Sequence, residues 1–367
     1  MKKLFLSLFV TLTACIFLSL EIPVIAQAQS PDLYSFKIKK IKDNIYLAYR
    51  PEPLRKFVEG NVTIIINEKD VILVDGGGSS TSAKNIIAEV RKLTPNPIRY
   101  VINTHFHSDH TLGNEEYVRS IPGVEIISHS LTRRNLIGEE SEYAESIVKD
   151  FDALRKSEQE LIKEVTAEAK PGYEKVVAYL ARYSEKDIFT RRDEYAKVKV
   201  VPATLICDQK MVLHRGSRTI EILSIGPGDT PGDLIVYLPE DKVVCSGDMV
   251  VHPVPYGFSK NPLAWMETLK KLSELEFDYL VPGHGELQGG KTYVSDVLGL
   301  LHSVHATVKT GIEKGTTKES LKKEIDLTAF TKKYLNNDPV AIFRFERWFS
   351  NPAIENAYKI YSPNSVK

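Results

Sequence analysis

His105-Phe106-His107-Ser108-Asp109-His110 places three imidazoles and one carboxylate within six positions. Immediately upstream, Tyr100-Val101-Ile102 reads as a short strand that delivers the chain to His105. Alternate side chains of extended backbone share a face, so His105 and His107 point the same way. Asp109 and His110 follow as the chain turns. The chain has only 9 histidines among 367 residues, so this density marks a metal-binding motif. Histidine combined with carboxylate suits zinc, iron or manganese.

One such cluster does not close a catalytic site, and partners are expected at loop positions after other strands. Three glycine-containing loops qualify. Gly226-Pro227-Gly228-Asp229-Thr230-Pro231-Gly232 follows an apolar run ending at Ile225. Ser246-Gly247-Asp248 follows the run Lys242 to Cys245, and Pro282-Gly283-His284-Gly285 follows Tyr279-Leu280-Val281. Upstream, Val62-Thr63-Ile64-Ile65-Ile66 has the continuous β-branched character of a strand buried on both faces. Val71-Ile72-Leu73-Val74 is the next strand and ends in Asp75-Gly76-Gly77-Gly78. A helix is expected over about Ser82 to Leu93, with Ile86, Ile87 and Val90 on one face. Asn261-Pro262 opens another, since Asn is a good cap and Pro a good first residue.

With these loops in this order, the chain resembles the metallo-β-lactamase fold superfamily from about Asn44 to Glu286. The resemblance implies an α+β fold, a four-layer αββα sandwich with metals at one edge between the sheets. It implies that His105 and His107 bind a first metal, that Asp109, His110 and His284 bind a second, and that Asp248 bridges the two. Asp75 is implied as a supporting residue and Asp109 as the catalytic group that orients the attacking hydroxide. The pattern departs from the family at Asp229, where the family usually has a histidine. Three readings stay open: Asp229 ligates the first metal as a carboxylate, the first site is weak, or the site is degenerate. A carboxylate there favours a harder ion such as iron or manganese over zinc. Zinc remains the first expectation for the pair of divalent ions.

The expected activity is hydrolysis of an ester, thioester, lactone or amide by a metal-bridging hydroxide. Alternatives are β-lactamase-like activity, a non-hydrolytic diiron redox or metal-binding member, and a degenerate pseudoenzyme. His252, Tyr256 and Phe258, on the loop after Asp248, are candidate pocket residues. The 48 basic and 48 acidic side chains cancel, which argues against nucleic acid as a partner. A small-molecule substrate is expected, and a homodimer is open.

Met1-Lys2-Lys3, the apolar stretch Leu4 to Leu20 and Ala26-Gln27-Ala28 read as a signal peptide cleaved after Ala28. The mature protein is then periplasmic or secreted, with no stable membrane span after cleavage. Leu12-Thr13-Ala14-Cys15 leaves lipoprotein anchoring at Cys15 as an alternative. Cys207 and Cys245 lie in strand-like runs and read as buried thiols. Residues 36–290 are expected to form the metallo-β-lactamase-like domain, with a Glu-, Lys- and Ala-rich helical insertion at 132–197. Residues 291–367 read as a helical C-terminal extension. Within the insertion, Phe151, Leu154, Leu161 and Val165 recur at helical spacing, and Pro171-Gly172 separates a second helix.

Overall fold

The computed structural model describes residues 33–50, 58–141, 145, 148–182 and 185–362. The leader expected over residues 1–28, with Cys15, lies outside the described residues. Two sheets form the centre. The first has seven strands in sequence order: β1 (Lys37–Lys42), β2 (Ile45–Tyr49), β3 (Val62–Ile66), β4 (Val71–Val74), β5 (Ile98–Ile102), β6 (Glu125–Ser128) and β7 (Leu205–Ile206). Pairing is antiparallel from β1 to β4 and parallel from β4 to β7. The second sheet comprises β8 (Lys210–Arg215), β9 (Arg218–Leu223), β10 (Ile235–Leu238), β11 (Val243–Gly247), β12 (Tyr279–Pro282) and β13 (Gln288–Gly289), again paired in sequence order. Only β11 and β12 run parallel there.

The β-branched run of β3 is explained by its two covered faces. Val62, Ile64 and Ile66 pack outward with Ala83, Ile86, Ile87 and Val90 of helix α1 (Ser80–Leu93). Ile65 packs inward in the core shared with Ile222, Val236 and Cys245 of the second sheet. That sheet's outer face, carrying Ile235, Val244 and Leu280, is covered by Trp265 and Leu269 and by the C-terminal helices. The result is a four-layer αββα sandwich. Cys207 and Cys245 are free and buried.

Short helices α2 (Ser108–Thr111) and α3 (Asn114–Ser120) follow β5. Between β6 and β7 the chain forms α4 (Ser130–Asn135), a π-helical turn (Leu136–Glu140), α5 (Phe151–Glu168), α6 (Tyr173–Leu180) and α7 (Glu185–Tyr195). The helical break at Pro171-Gly172 is present, with Gly172 at φ +84°. Helix α7 has no apolar stripe to announce it, which is why the sequence shows two helices more readily than three. Helix α8 (Pro262–Glu274) starts as its cap signals dictate, with Asn261 Oδ1 accepting from Ala264 N at 3.2 Å. The C-terminal region forms α9 (Thr292–Glu313), α10 (Lys318–Glu324), α11 (Thr328–Leu335), α12 (Pro339–Phe345), a second π-helical turn (Glu346–Ser350) and α13 (Asn351–Tyr361). It touches the 132–197 stretch directly: Val165, Val176 and Leu180 bury against Phe343. Among the described residues, no helix is long and apolar enough to cross a membrane.

Candidate metal centre

Topology brings the motif loops to one edge. Strands β4 and β5 are parallel, so Asp75 and the His105 motif leave the first sheet at the same end. Strand β10 runs antiparallel to β9 and β11, and β12 runs parallel to β11. The C-terminal ends of β9, β11 and β12 therefore share an edge, where Asp229, Asp248 and His284 emerge.

Seven side chains converge there in two groups. His105, His107, Asp229 and Asp248 form the first, and Asp109, His110 and His284 the second. Within each group the donor atoms lie within 4.8 Å of one another. Asp248 faces both. Its Oδ2 lies 3.7 Å from His105 Nε2, while its Oδ1 lies 3.2 Å from His110 Nε2 and 3.3 Å from His284 Nε2. His107 Nδ1 is 3.2 Å from Asp229 Oδ2, and His284 Nε2 is 3.0 Å from Asp109 Oδ2.

The outer nitrogens of these imidazoles are already engaged. His110 Nδ1 lies 2.9 Å from Asp75 Oδ2, and His284 Nδ1 lies 3.0 Å from the carbonyl of Glu59. Both partners accept, so each Nδ1 donates. In the neutral rings each Nε2 is then a lone pair. Those two lone pairs face each other at 3.1 Å with carboxylate oxygens around them. His105 Nε2 and Asp248 Oδ1 are likewise buried without a hydrogen bond. Acceptors pointed at one another in a dry site are unfavourable unless a proton or a metal cation lies between them. This donor set fits divalent ions.

The titration behaviour has the same cause. Burial pulls His110 down, but the charges of Asp248, Asp109 and Asp75 outweigh it and hold the ring well above its usual range. His107 and His284 are each held up at about 9, against burial, by Asp229 and Asp248 respectively among other carboxylates. Burial, and then His110, push His105 well below the usual imidazole range. Burial acts to raise Asp109 and Asp248, yet the histidines hold both below the carboxylate range. Asp233 behaves in the opposite way: burial and then Asp229 push it up to about 8.

Asp75 sits at the centre of a supporting network. Its Oδ1 accepts from Thr104 N at 2.8 Å, opposite the oxygen that meets His110. Thr104 Oγ1 also lies 3.0 Å from His105 Nδ1. A cleft of about 660 Å³ opens onto His107, Asp109 and Asp229. Its walls include Phe106, Pro227, Pro231 and Phe258, and Lys260 stands at the rim, 3.6 Å from Glu139. Phe258 is 48% exposed. Tyr256 packs its ring 5.7 Å from that of His284 and 5.6 Å from that of Trp348. His252 turns elsewhere: it packs on Tyr293 and Tyr334, burial pushes it down to about 4, and it is not among the cleft's lining residues.

Three contributors were not visible in the sequence. Glu59 supplies the carbonyl for His284. Gly60 lies against the His110 ring, where a Cβ would come within 2.5 Å of it. Arg191 of α7 pairs with the buried Glu59 carboxylate at 2.5 Å. The glycine preceding a buried strand was the available signal, and nothing marked Arg191.

The sequence profile described as the metallo-beta-lactamase superfamily matches residues 55–284. The chain is 25% identical over 277 residues to the linear primary-alkylsulfatase of Pseudomonas sp. (strain ATCC 19151), covering 70% of this chain and 48% of that protein. It thus spans about half the length of that curated relative. Among solved structures, the stereoselective inverting sec-alkylsulfatase Pisa1 from Pseudomonas sp. aligns with a TM-score of 0.57 and 15% identity, over 89% of this chain and 50% of that one. A double mutant of the sec-alkyl sulfatase PisA1 aligns at 0.60 with 16% identity over 89% and 50% of the two chains. Identities this low show a shared fold.

Proposed function

Because the chain belongs to the metallo-β-lactamase superfamily, a family of metal-dependent hydrolases, we propose that its seven converging donors hold two divalent ions that serve ester hydrolysis. The observation that carries this reading is the set of inward-facing acceptors, with one Asp248 oxygen turned to each group. His105, His107 and Asp229 would hold the first ion, Asp109, His110 and His284 the second, and Asp248 both. Bound ions would supply Lewis acidity and a water ionised near neutral pH.

The chain's own residues do the rest. Asp75 and the Glu59 carbonyl fix the rotation and tautomer of His110 and His284, so both present Nε2 to the centre. Asp109, which lines the cleft, orients the attacking water through its carboxylate. The apolar walls at Phe106, Pro227, Pro231 and Phe258 exclude water and receive the non-reacting arm of the substrate. An ester with an apolar arm suits this cleft better than a polyanion. The curated relative is an alkylsulfatase, so an alkyl sulfate joins carboxylic esters and lactones as a candidate.

Asp229 supports a second reading of the metal. Three carboxylates beside four histidines form a harder set than histidine alone, and iron or manganese would fill it as well as zinc. Diiron redox chemistry then competes with hydrolysis. Elemental analysis of purified protein, paired with a panel of alkyl sulfates, carboxylic esters, lactones, phosphodiesters and β-lactams, separates the two. Two ions with turnover of an ester supports hydrolysis. Two irons with visible absorption and no turnover supports the redox reading. Residues 1–28 are proposed as a cleaved export signal, which N-terminal sequencing of periplasmic material would check.

A further inference from the structure

We propose that Arg191 is a positioning residue for the second metal group. Through Glu59 it ties the docking of helix α7 to the placement of His284 and Asp109, so that the helix and occupancy of that group support each other. The inference rests on the two-ion reading above.

The segment Glu59-Gly60-Asn61 backs the second group at every residue. The Glu59 carbonyl accepts from His284 Nδ1 at 3.0 Å. Gly60 N donates to the Asp109 carbonyl at 3.0 Å. Asn61 N donates to the Gly283 carbonyl at 2.7 Å, and its Nδ2 donates to the carbonyls of Pro282 and Gly285 at 2.8 and 3.0 Å. Three successive residues thus set the position of both ligand-bearing loops.

The anchor of this segment is the Glu59 side chain, which is 3% exposed. One oxygen accepts from Gly78 N at 2.8 Å and the other from Arg191 Nη1 at 2.5 Å. Arg191 is itself 5% exposed and packs over Tyr195 and Tyr34. Helix α7 adds a hydrogen bond between Thr81 Oγ1 and Glu194, and Ile188 against Leu33 and Tyr34. A buried carboxylate that loses its cation is strongly disfavoured. Without Arg191, Glu59 would turn toward water and carry the 59–61 segment with it. The hydrogen bonds of the Arg191–Glu59 pair lead to Gly78 and, through the Glu59 carbonyl, to His284, so the first group should be spared. Coupling of this kind is reciprocal: whatever the helix does for the ion, the ion does for the helix.

The test measures stepwise Zn²⁺ affinities by chelator competition, with His284→Ala and Asp229→Ala assigning each step to its group. Arg191→Met should weaken the second-group step by about ten- to a hundredfold, as loss of an outer support does, and leave the first unchanged. Arg191→Lys, which keeps the charge, should recover most of the loss. In the wild type, stripping zinc should speed amide exchange across Glu185–Tyr195 and leave Pro262–Glu274 unchanged. That measurement decides the matter if Arg191→Met does not fold. Equal weakening of both steps, no weakening, or exchange in α7 indifferent to zinc overturns the inference alone. A wild type that takes fewer than two ions overturns the two-ion reading and the inference together.

Discussion

His110 and His284 are sealed from solvent, each with its Nδ1 fixed by a carboxylate or a carbonyl. His107 keeps 37% of its side chain exposed and meets Asp229 at the floor of the cleft. At the second group the two histidines form a closed socket and Asp109 reaches the cleft, whereas at the first group His107 opens to the cleft while His105 stays buried against Thr104. The difference follows from what surrounds each. The second group sits between the Asp75 network and the Glu59–Asn61 segment. The first group faces substrate space, and just past its loop, Gly226 to Gly232, the buried Asp233 lies close enough to Asp229 to be pushed up by its charge. Rigidity on one side and access on the other is an arrangement suited to a site that must hold ions and admit a ligand.

The largest effect should come from the residue that belongs to both halves. Asp248→Ala removes the oxygens facing His105, His110 and His284. Without a shared anion the pair of ions should not persist. Since bound ions lower the pKa of water from about 16 to about 7, hydrolysis should fall on the order of a thousandfold or more. Metal content should drop below two per chain by elemental analysis. Full occupancy with full activity would show that Asp248 links nothing.

Gly60→Ala should break the socket on its closed side only. A methyl there would lie 2.5 to 2.8 Å from three atoms of the His110 ring, a distance at which something must move. His110 cannot move freely, because Asp75 holds its Nδ1. Affinity for the second ion should fall by about a hundredfold, with the first ion retained. A thermal melt controls for global unfolding. If both ions bind as in the wild type, the two halves are less distinct than their geometry implies.

The contrast also governs what the sequence revealed. Side chains at the centre were legible because metal ligands come from a few residue types, here His and Asp, and because strand ends bring them to glycine-rich loops. A buried strand was legible from the β-branched run of β3 and a helix start from the capping pair Asn261-Pro262, whereas the four-layer sandwich followed from the family resemblance of the motif loops. Supporting residues were not legible. Glu59 meets His284 through its carbonyl, which every residue possesses, while its carboxylate is held by Gly78 N and by the distant Arg191, so nothing in the local sequence ties it to His284. Arg191 sits on a helix rich in charges, where one buried arginine looks like any exposed one until Glu59 is found opposite it, 132 positions away. His252 is the reverse case. A histidine four residues after Asp248 invites a role in the site, yet Tyr293 and Tyr334 hold it in an aromatic pocket instead.

On the open side, Asp229→His should sharpen the comparison. It exchanges a carboxylate for a neutral ring and removes one negative charge from the first group. The ions there would become stronger Lewis acids, and the water they hold would lose its proton at lower pH. The acid limb of the rate profile should therefore move to lower pH in the variant, so the wild type needs the more alkaline solution. Zinc should also be preferred over manganese more strongly than in the wild type. A limb that stays in place or moves to higher pH would show that Asp229 does not act on the reacting water.

The smallest expected effect lies farthest from the ions. Phe258 stands on the cleft wall, 48% exposed, with its ring 5.8 Å from that of Tyr256. Its side chain has no polar atom to offer, so it contributes to binding by covering an apolar part of the substrate. Covering the exposed half of a phenylalanine contributes about 1 kcal/mol, which corresponds to roughly fivefold in affinity. Phe258→Ala should thus raise KM about fivefold and leave kcat and metal content unchanged. Across esters of one leaving group and increasing chain length, the penalty should grow with chain length and then level off once the chain passes the ring. A uniform penalty at every length, or a fall in kcat, would move the substrate's apolar arm away from this wall and toward the Lys260 side of the cleft.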